Sequence, residues 1–261
     1  FITEVGCNMG RGGYQRSYRL AEQVFEIRSA LCRMFHFTEE SNAIFTPGVT
    51  YSLNFVIQGL LKPGDHAIIS AMEHNASARP CHQLEAKGVQ VTEVRCDRQG
   101  RLDMDAFAGA FQENTALVVI NHASNVCGTL QDAKKIGALC REKNVPFVLD
   151  AAQSAGVVPI DGKEMGISAL CLTGHKGLLG PQGIGVLLLD SELAGRLNPL
   201  VAGGTGSASN LLSMPDFLPD RLEAGTLNLP GILGLGAALS YIEEKGIQRI
   251  AAQEKTLAGQ F

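Results

Sequence analysis

Between positions 43 and 189 the chain alternates short apolar runs with longer amphipathic ones, and this alternation constrains the fold more than any other feature. Residues 43–45, 66–70, 89–94, 117–121, 146–149, 169–172 and 184–189 are rich in Val, Ile and Leu, and several of these runs are almost wholly apolar. Strands buried on both faces read this way. Between them, residues 50–60, 76–87, 104–111 and 133–143 read as helices. Strand–helix alternation predicts an α/β fold, here a mainly parallel sheet of seven strands with helices on both faces. The last strand follows Gly180-Pro181-Gln182-Gly183 too closely for a crossover helix, so it is expected to run antiparallel.

Polar residues gather just beyond several of these strands. His74 follows the second, Asn125 the fourth, Asp150 and Gln153 the fifth, and Thr173, His175 and Lys176 the sixth. Open α/β sheets bind ligands beyond the carboxyl ends of their strands. The convergence of these strand ends predicts one shared site.

Composition removes several function classes. The 261 residues carry a net charge of −4 with both signs interspersed, so no basic patch invites nucleic acid. No apolar run approaches the roughly 20 residues that span a bilayer, and the first residues lack the pattern of a signal peptide. The seven cysteines show no paired metal-ligand spacing; reduced thiols and a cytoplasmic location are the expectation. Residues 203–229 have little regular pattern, and a loop of that length commonly binds something or forms an interface. Residues 231–258 read as a helix whose apolar face (Ile232, Leu235, Leu239, Ile242) needs a packing partner.

The strand ends carry specific motifs. In order they are Phe45-Thr46-Pro47-Gly48-Val49-Thr50, Met72-Glu73-His74-Asn75-Ala76, His122-Ala123-Ser124-Asn125-Val126-Cys127-Gly128-Thr129, Asp150-Ala151-Ala152-Gln153, Thr173-Gly174-His175-Lys176 and Arg221-Leu222-Glu223-Ala224-Gly225-Thr226. Together they resemble the class V aminotransferase fold, fold type I of the pyridoxal phosphate (PLP) enzymes, and within it the cysteine desulfurase and selenocysteine lyase branch.

The resemblance implies a role for each residue. Lys176 is the Schiff-base lysine and Asp150 the partner of the pyridinium nitrogen; the protonated ring accepts electrons from a substrate carbanion. His74 stacks on the ring and assists proton transfer. Gln153 bonds the phenolic oxygen, and Asn125 contacts cofactor and substrate carboxylate. Gly48, Val49 and Thr50 open a helix whose N–H groups suit a phosphate, with Thr173 and His175 beside them. Val49 departs from the hydroxyl residue usual in the family, which leaves only backbone contact there. Thr226 corresponds to a threonine supplied by the neighbouring subunit, which implies a homodimer. Taken singly, each residue has a plainer reading: a solvated lysine, an Asp cap, a helix-surface Gln, a turn His, a turn Thr after Gly225. Cys127 reads as a small buried hydrophobe. Gly10-Arg11-Gly12 resembles a region near the family's entrance and dimer interface, with Arg11 a weak candidate. His36, His66 and His82 read as structural.

The resemblance also implies a division of the chain. Residues 1–229 correspond to the PLP-binding large domain with its N-terminal arm, and 230–261 to the start of a helix leading into a small domain. In the family that domain carries the nucleophilic cysteine and the arginine for the substrate carboxylate. The activity implied is removal of sulfur from L-cysteine to give alanine, with sulfur passed to an acceptor protein. A selenocysteine lyase, a transaminase of the same fold and a non-catalytic scaffold are the rival readings.

Overall fold

The computed structural model describes residues 6, 7, 9 and 14–260, so the expectation for Arg11 lies outside the described residues. Its centre is a seven-stranded sheet in the order β1-β7-β6-β5-β4-β2-β3. The strands are β1 (Ala43–Thr46), β2 (His66–Ser70), β3 (Gln90–Val94), β4 (Thr115–Asn121), β5 (Phe147–Asp150), β6 (Ala169–Thr173) and β7 (Gly185–Leu189). β7 is antiparallel to both β1 and β6; the other pairings are parallel. The expected architecture and its single antiparallel strand are therefore present, with strand ends shifted by a residue or two.

Alternate strand residues feed two separate cores, as the period of two along a strand requires. Ile68, Val118, Ile120, Phe147, Leu149, Leu170 and Leu172 face one side. There they meet α1 (Gln15–Phe35), α4 (Met104–Gly109), α5 (Ala133–Glu142) and α7 (Leu229–Lys245). Ile69, Leu117, Val119, Val148, Ala169 and Cys171 face the other, against α2 (Val49–Leu60), α3 (Asn75–Glu85) and α6 (Ser191–Arg196).

Two features depart from the sequence reading. The 21-residue α1 buries Leu20, Val24, Ile27, Leu31 and Phe35, a spacing of three and four residues that marks an amphipathic helix. It supplies the partner that the apolar face of α7 requires: Ile232, Leu235, Leu239 and Ile242 are all buried, and α1 and α7 pack together. The single helix expected over 231–258 is instead two, because Gly246 at φ 79° ends α7 before α8 (Ile247–Ala258) begins. A residue at that φ cannot continue an α-helix. Residues 197–228 form no helix or strand, in keeping with the expected long loop.

Candidate active site

The carboxyl ends of β2, β4, β5 and β6 lie along one edge of the sheet because these strands are parallel. Asn121 is the register partner of Asp150, and Asp150 of Cys171. Thr173 and Thr46 both pair with Gly185. That last register brings the start of α2 beside the end of β6. Gly185 has no room for a side chain, since a Cβ there would lie 2.6 Å from Gly48 Cα.

Asp150 is 2% exposed at the end of β5. Its Oδ1 accepts the Ala152 N–H at 2.9 Å, and among the described residues Oδ2 accepts nothing. Burial pushes its carboxyl up, against the opposing pull of the Ala152 N–H and of the nearby His74 and Lys176 charges. The plainer reading of Asp150 as a turn cap thus accounts for one oxygen only. Lys176 is half-buried in the turn after β6. That turn is held by a close backbone approach: at Gly156, where φ is +87°, a Cβ would lie 2.1 Å from Gly177 O. His74 is the N-cap of α3, and its Nδ1 accepts the Ala76 N–H at 3.1 Å. A ring that accepts at Nδ1 carries its proton on Nε2.

The cradle for an anion is built at α2. Among the described residues the N–H groups of Val49 and Thr50 have no protein acceptor, and no side chain caps this helix. A Cβ on Gly48 would stand 4.0 Å from Thr173 Oγ1, and that hydroxyl lies 3.2 Å from His175 Nδ1. Gln153 and Asn125 are exposed and free of side-chain hydrogen bonds among the described residues. Thr226 is also exposed and lines a cavity of about 290 Å³ with Thr46, Pro47 and Tyr51, next to the cradle.

These groups fit PLP. A buried carboxylate with one free oxygen suits a pyridinium N–H, and free helix N–H groups beside two side-chain donors suit a phosphate. A half-buried amine within electrostatic reach of the carboxylate suits an aldehyde.

Two polar residues of this edge stand outside the roles drawn from the sequence. Glu73, next to His74, has an enclosed carboxyl that burial pushes up to about 7, against hydrogen bonds from Ser70, Asn121 and Ser77; the charge of Asp150 adds to the rise. His122, 2% exposed, places Nδ1 2.8 Å from Ser154 Oγ, and burial pushes it down to about 4, so the ring is neutral. The local signal for either is a polar residue shortly after a strand with an apolar centre. Cys127 corrects the sequence reading: it is exposed, in the loop after β4. Hydrogen bonding with Ser124 and Thr129 brings its thiol down to about 7. The turn leaves Val126 82% exposed, so position 127 has no core to enter. His66 is structural as expected, held between Thr115 and Thr92 hydroxyls at 2.8 Å each. His36 and His82 pair with surface carboxylates.

The model of the aminotransferase class-V family matches residues 1–261. The chain belongs to that family. Its members are PLP-dependent, and the fold is type I. The chain is 34% identical over 255 residues to a probable cysteine desulfurase of Methanothermobacter thermautotrophicus, covering 96% of this chain and 63% of that protein. It is 32% identical over 261 residues to the cysteine desulfurase IscS of Vibrio atlanticus, covering 97% and 61%. The apo structure of cysteine desulfurase from Thermococcus onnurineus NA1 superposes with a TM-score of 0.92 at 29% identity, over 100% of this chain and 66% of that one. The chain thus spans 63% and 61% of the length of these two curated relatives. Among the described residues no helix is long and apolar enough to cross a membrane.

Proposed function

We propose that residues 1–229 are the PLP-binding large domain of a cysteine desulfurase, and that residues 230–261 lead toward a small domain. The observation that carries this reading is the buried Asp150, with one carboxylate oxygen unused, within electrostatic reach of both Lys176 and His74. The relatives named cysteine desulfurase favour this activity over a selenocysteine lyase, a transaminase or a scaffold.

When bound, PLP supplies an electron sink for the pair left on the substrate's α-carbon. The residues of the chain do the rest. Lys176 Nζ is the amine that would hold the cofactor through its aldehyde. Asp150 Oδ2 keeps the proton on the pyridinium nitrogen; desolvation strengthens that pairing. His74 covers the ring with Nε2–H available for proton transfer. Val49 and Thr50 N–H groups, with Gly48, Thr173 and His175, hold the phosphate. Gln153 bonds the phenolic oxygen and Asn125 the substrate carboxylate.

In the net reaction the Cβ–S bond of L-cysteine breaks and a protein thiol takes the sulfur as a persulfide. Cβ gains a proton, and alanine leaves. Burial pushes Cys32, Cys81, Cys96, Cys140 and Cys171 up, which makes them poor attacking thiolates. Thiol chemistry alone leaves Cys127 open, exposed and lowered to about 7; it is the family resemblance that assigns the attacking cysteine to the small domain. Thr226 is assigned to the neighbouring site of a homodimer, sulfur passes to an acceptor protein, and the unpaired thiols suit the cytoplasm.

Borohydride reduction of the PLP-treated chain, followed by peptide mass measurement, tests the site. A reduced PLP adduct on Lys176, absent in Lys176→Ala, is expected; a folded chain without the adduct refutes the proposal. Sulfide or persulfide release from cysteine by the full-length protein tests the reaction.

A further inference from the structure

Glu73 stands one residue before His74, in the turn between β2 and α3. The residue is half-buried overall, yet its carboxyl group is enclosed. Three elements donate to it. Ser70 Oγ, at the end of β2, reaches Oε1 at 2.6 Å. The backbone N–H of Asn121, at the end of β4, reaches the same oxygen at 2.8 Å. Ser77 Oγ, in the first turn of α3, reaches Oε2 at 2.7 Å. Asn121 Nδ2 also donates to Met72 O at 3.4 Å, so β4 grips the turn on both sides of the carboxyl.

Asn121 is in turn the register partner of Asp150. Among the described residues the His74 ring has one hydrogen bond, its own cap on Ala76, while its carbonyl accepts from Ser77 and Ala78 of α3. A connected path of hydrogen bonds and strand register therefore runs from Asp150 through Asn121 and Glu73 to the turn that carries His74. Enclosing a carboxyl is costly, and a turn needing only closure could use a neutral side chain. Three donors from three elements converging on one carboxyl instead form a clamp.

We propose that Glu73 is a positioning residue, whose carboxyl clamp fixes where the His74 ring stands relative to Asp150. This rests on the reading of His74 as the ring-stacking residue. The perturbation is Glu73→Ala, with Glu73→Gln as the shape-preserving comparison. Glutamine keeps the length and an acceptor oxygen, and its amide can donate to Ser77 Oγ.

Two readouts decide the matter. The first is hydrogen exchange of the Ala76 amide in the cofactor-free chain. The second is the visible circular dichroism of the PLP-loaded chain, which reports the orientation of the bound ring. Glu73→Ala is expected to speed Ala76 exchange about tenfold or more and to change the visible band. Glu73→Gln is expected to restore both to within about twofold of the parent. Should Glu73→Ala fail to fold, Ser70→Ala removes one clamp donor without touching a hydrogen bond of His74 and is expected to show the same changes, smaller. A folded variant with parental exchange and parental dichroism overturns the proposal, as does a glutamine variant no better than alanine. If the parent chain takes no PLP, the proposed function falls, while the exchange at Ala76 still decides the clamp.

Discussion

Replacing Glu223 by alanine strands a buried cation. Arg28 on α1 and Glu223 in the long loop form a bidentate pair, Nη1 to Oε1 at 2.9 Å and Nη2 to Oε2 at 2.7 Å, with side chains 6% and 5% exposed. Oε1 also accepts the Phe45 N–H at 2.7 Å, Nη1 donates to Ala43 O, and the guanidinium lies 4.4 Å over the Phe45 ring. The pair thus joins α1, β1 and the segment leading to Thr226. Removing one partner of such a pair costs about 3–5 kcal/mol, because the remaining charge stays enclosed. In a chain of this size that corresponds to a fall in Tm of roughly 6–20 °C. Replacing both, as Arg28→Met with Glu223→Leu, removes the stranded charge. The Phe45 N–H loses its partner in the single and the double variant alike, so the double adds only the unpartnered Ala43 O, at about 1–3 kcal/mol. Thermal and urea unfolding of the parent, Arg28→Met, Glu223→Leu and the double variant close the cycle, with Glu223→Ala measured beside them. The expected order is parent, then double, then Glu223→Ala. A loss below about 1 kcal/mol in Glu223→Ala, or a double variant worse than both singles, refutes the reasoning.

Gly156→Ala should cost roughly 2–4 kcal/mol, since it sets a side chain at positive φ against Gly177 O; because the displaced turn carries Lys176, PLP loading should fall more than stability does, and unchanged loading in a folded variant contradicts this. Glu73 gives a pH signature. Its carboxyl is raised from 4.5 to about 7 in the fold, so its contribution to stability is full below the unfolded value and is lost as pH rises through about 7. Between about pH 5 and 8 the parent should therefore lose roughly 3 kcal/mol relative to Glu73→Gln, and parallel Tm–pH curves for the two proteins rule this out. Cys127 should be the first thiol modified by Ellman's reagent, at a rate that rises through about pH 7, and first labelling of any other cysteine counts against its exposure and lowered thiol.

The strands were legible because burial on both faces leaves a run of Val, Ile and Leu with no other reading, and β2 is bounded in the sequence as it is in the fold. Boundaries elsewhere differ by a residue or two, where backbone pairing and not side-chain chemistry ends the element. The spacing of Leu20, Val24, Ile27, Leu31 and Phe35 was equally readable, but α1 stands before the alternation begins and joins no motif. The apolar face of α7 pointed to this absent partner without identifying it. Most of the proposed cofactor residues follow an apolar strand, which marks the edge they share; Thr226, in the long loop, does not, and it and the individual roles were legible only through the family resemblance of the motifs.

What supports those residues was not legible, because its signals are long-range. Arg28 and Glu223 lie 195 positions apart, and no pattern near either announces the other. Glu73 and Asn121 lie 48 apart and meet only because β2 and β4 are sheet neighbours. A lone carboxylate before a histidine looks like turn chemistry until the fold closes over it. In both clusters the same physics applies: a charge enclosed by folding is stable only where separate elements supply its partners. The residues proposed to face the cofactor are consequently marked by local motifs, while those proposed to hold them in place are declared only by topology. For this edge of the sheet, that assigns the enclosed Glu73 carboxyl to the support of His74 and the Arg28–Glu223 pair to the support of the Thr226 segment.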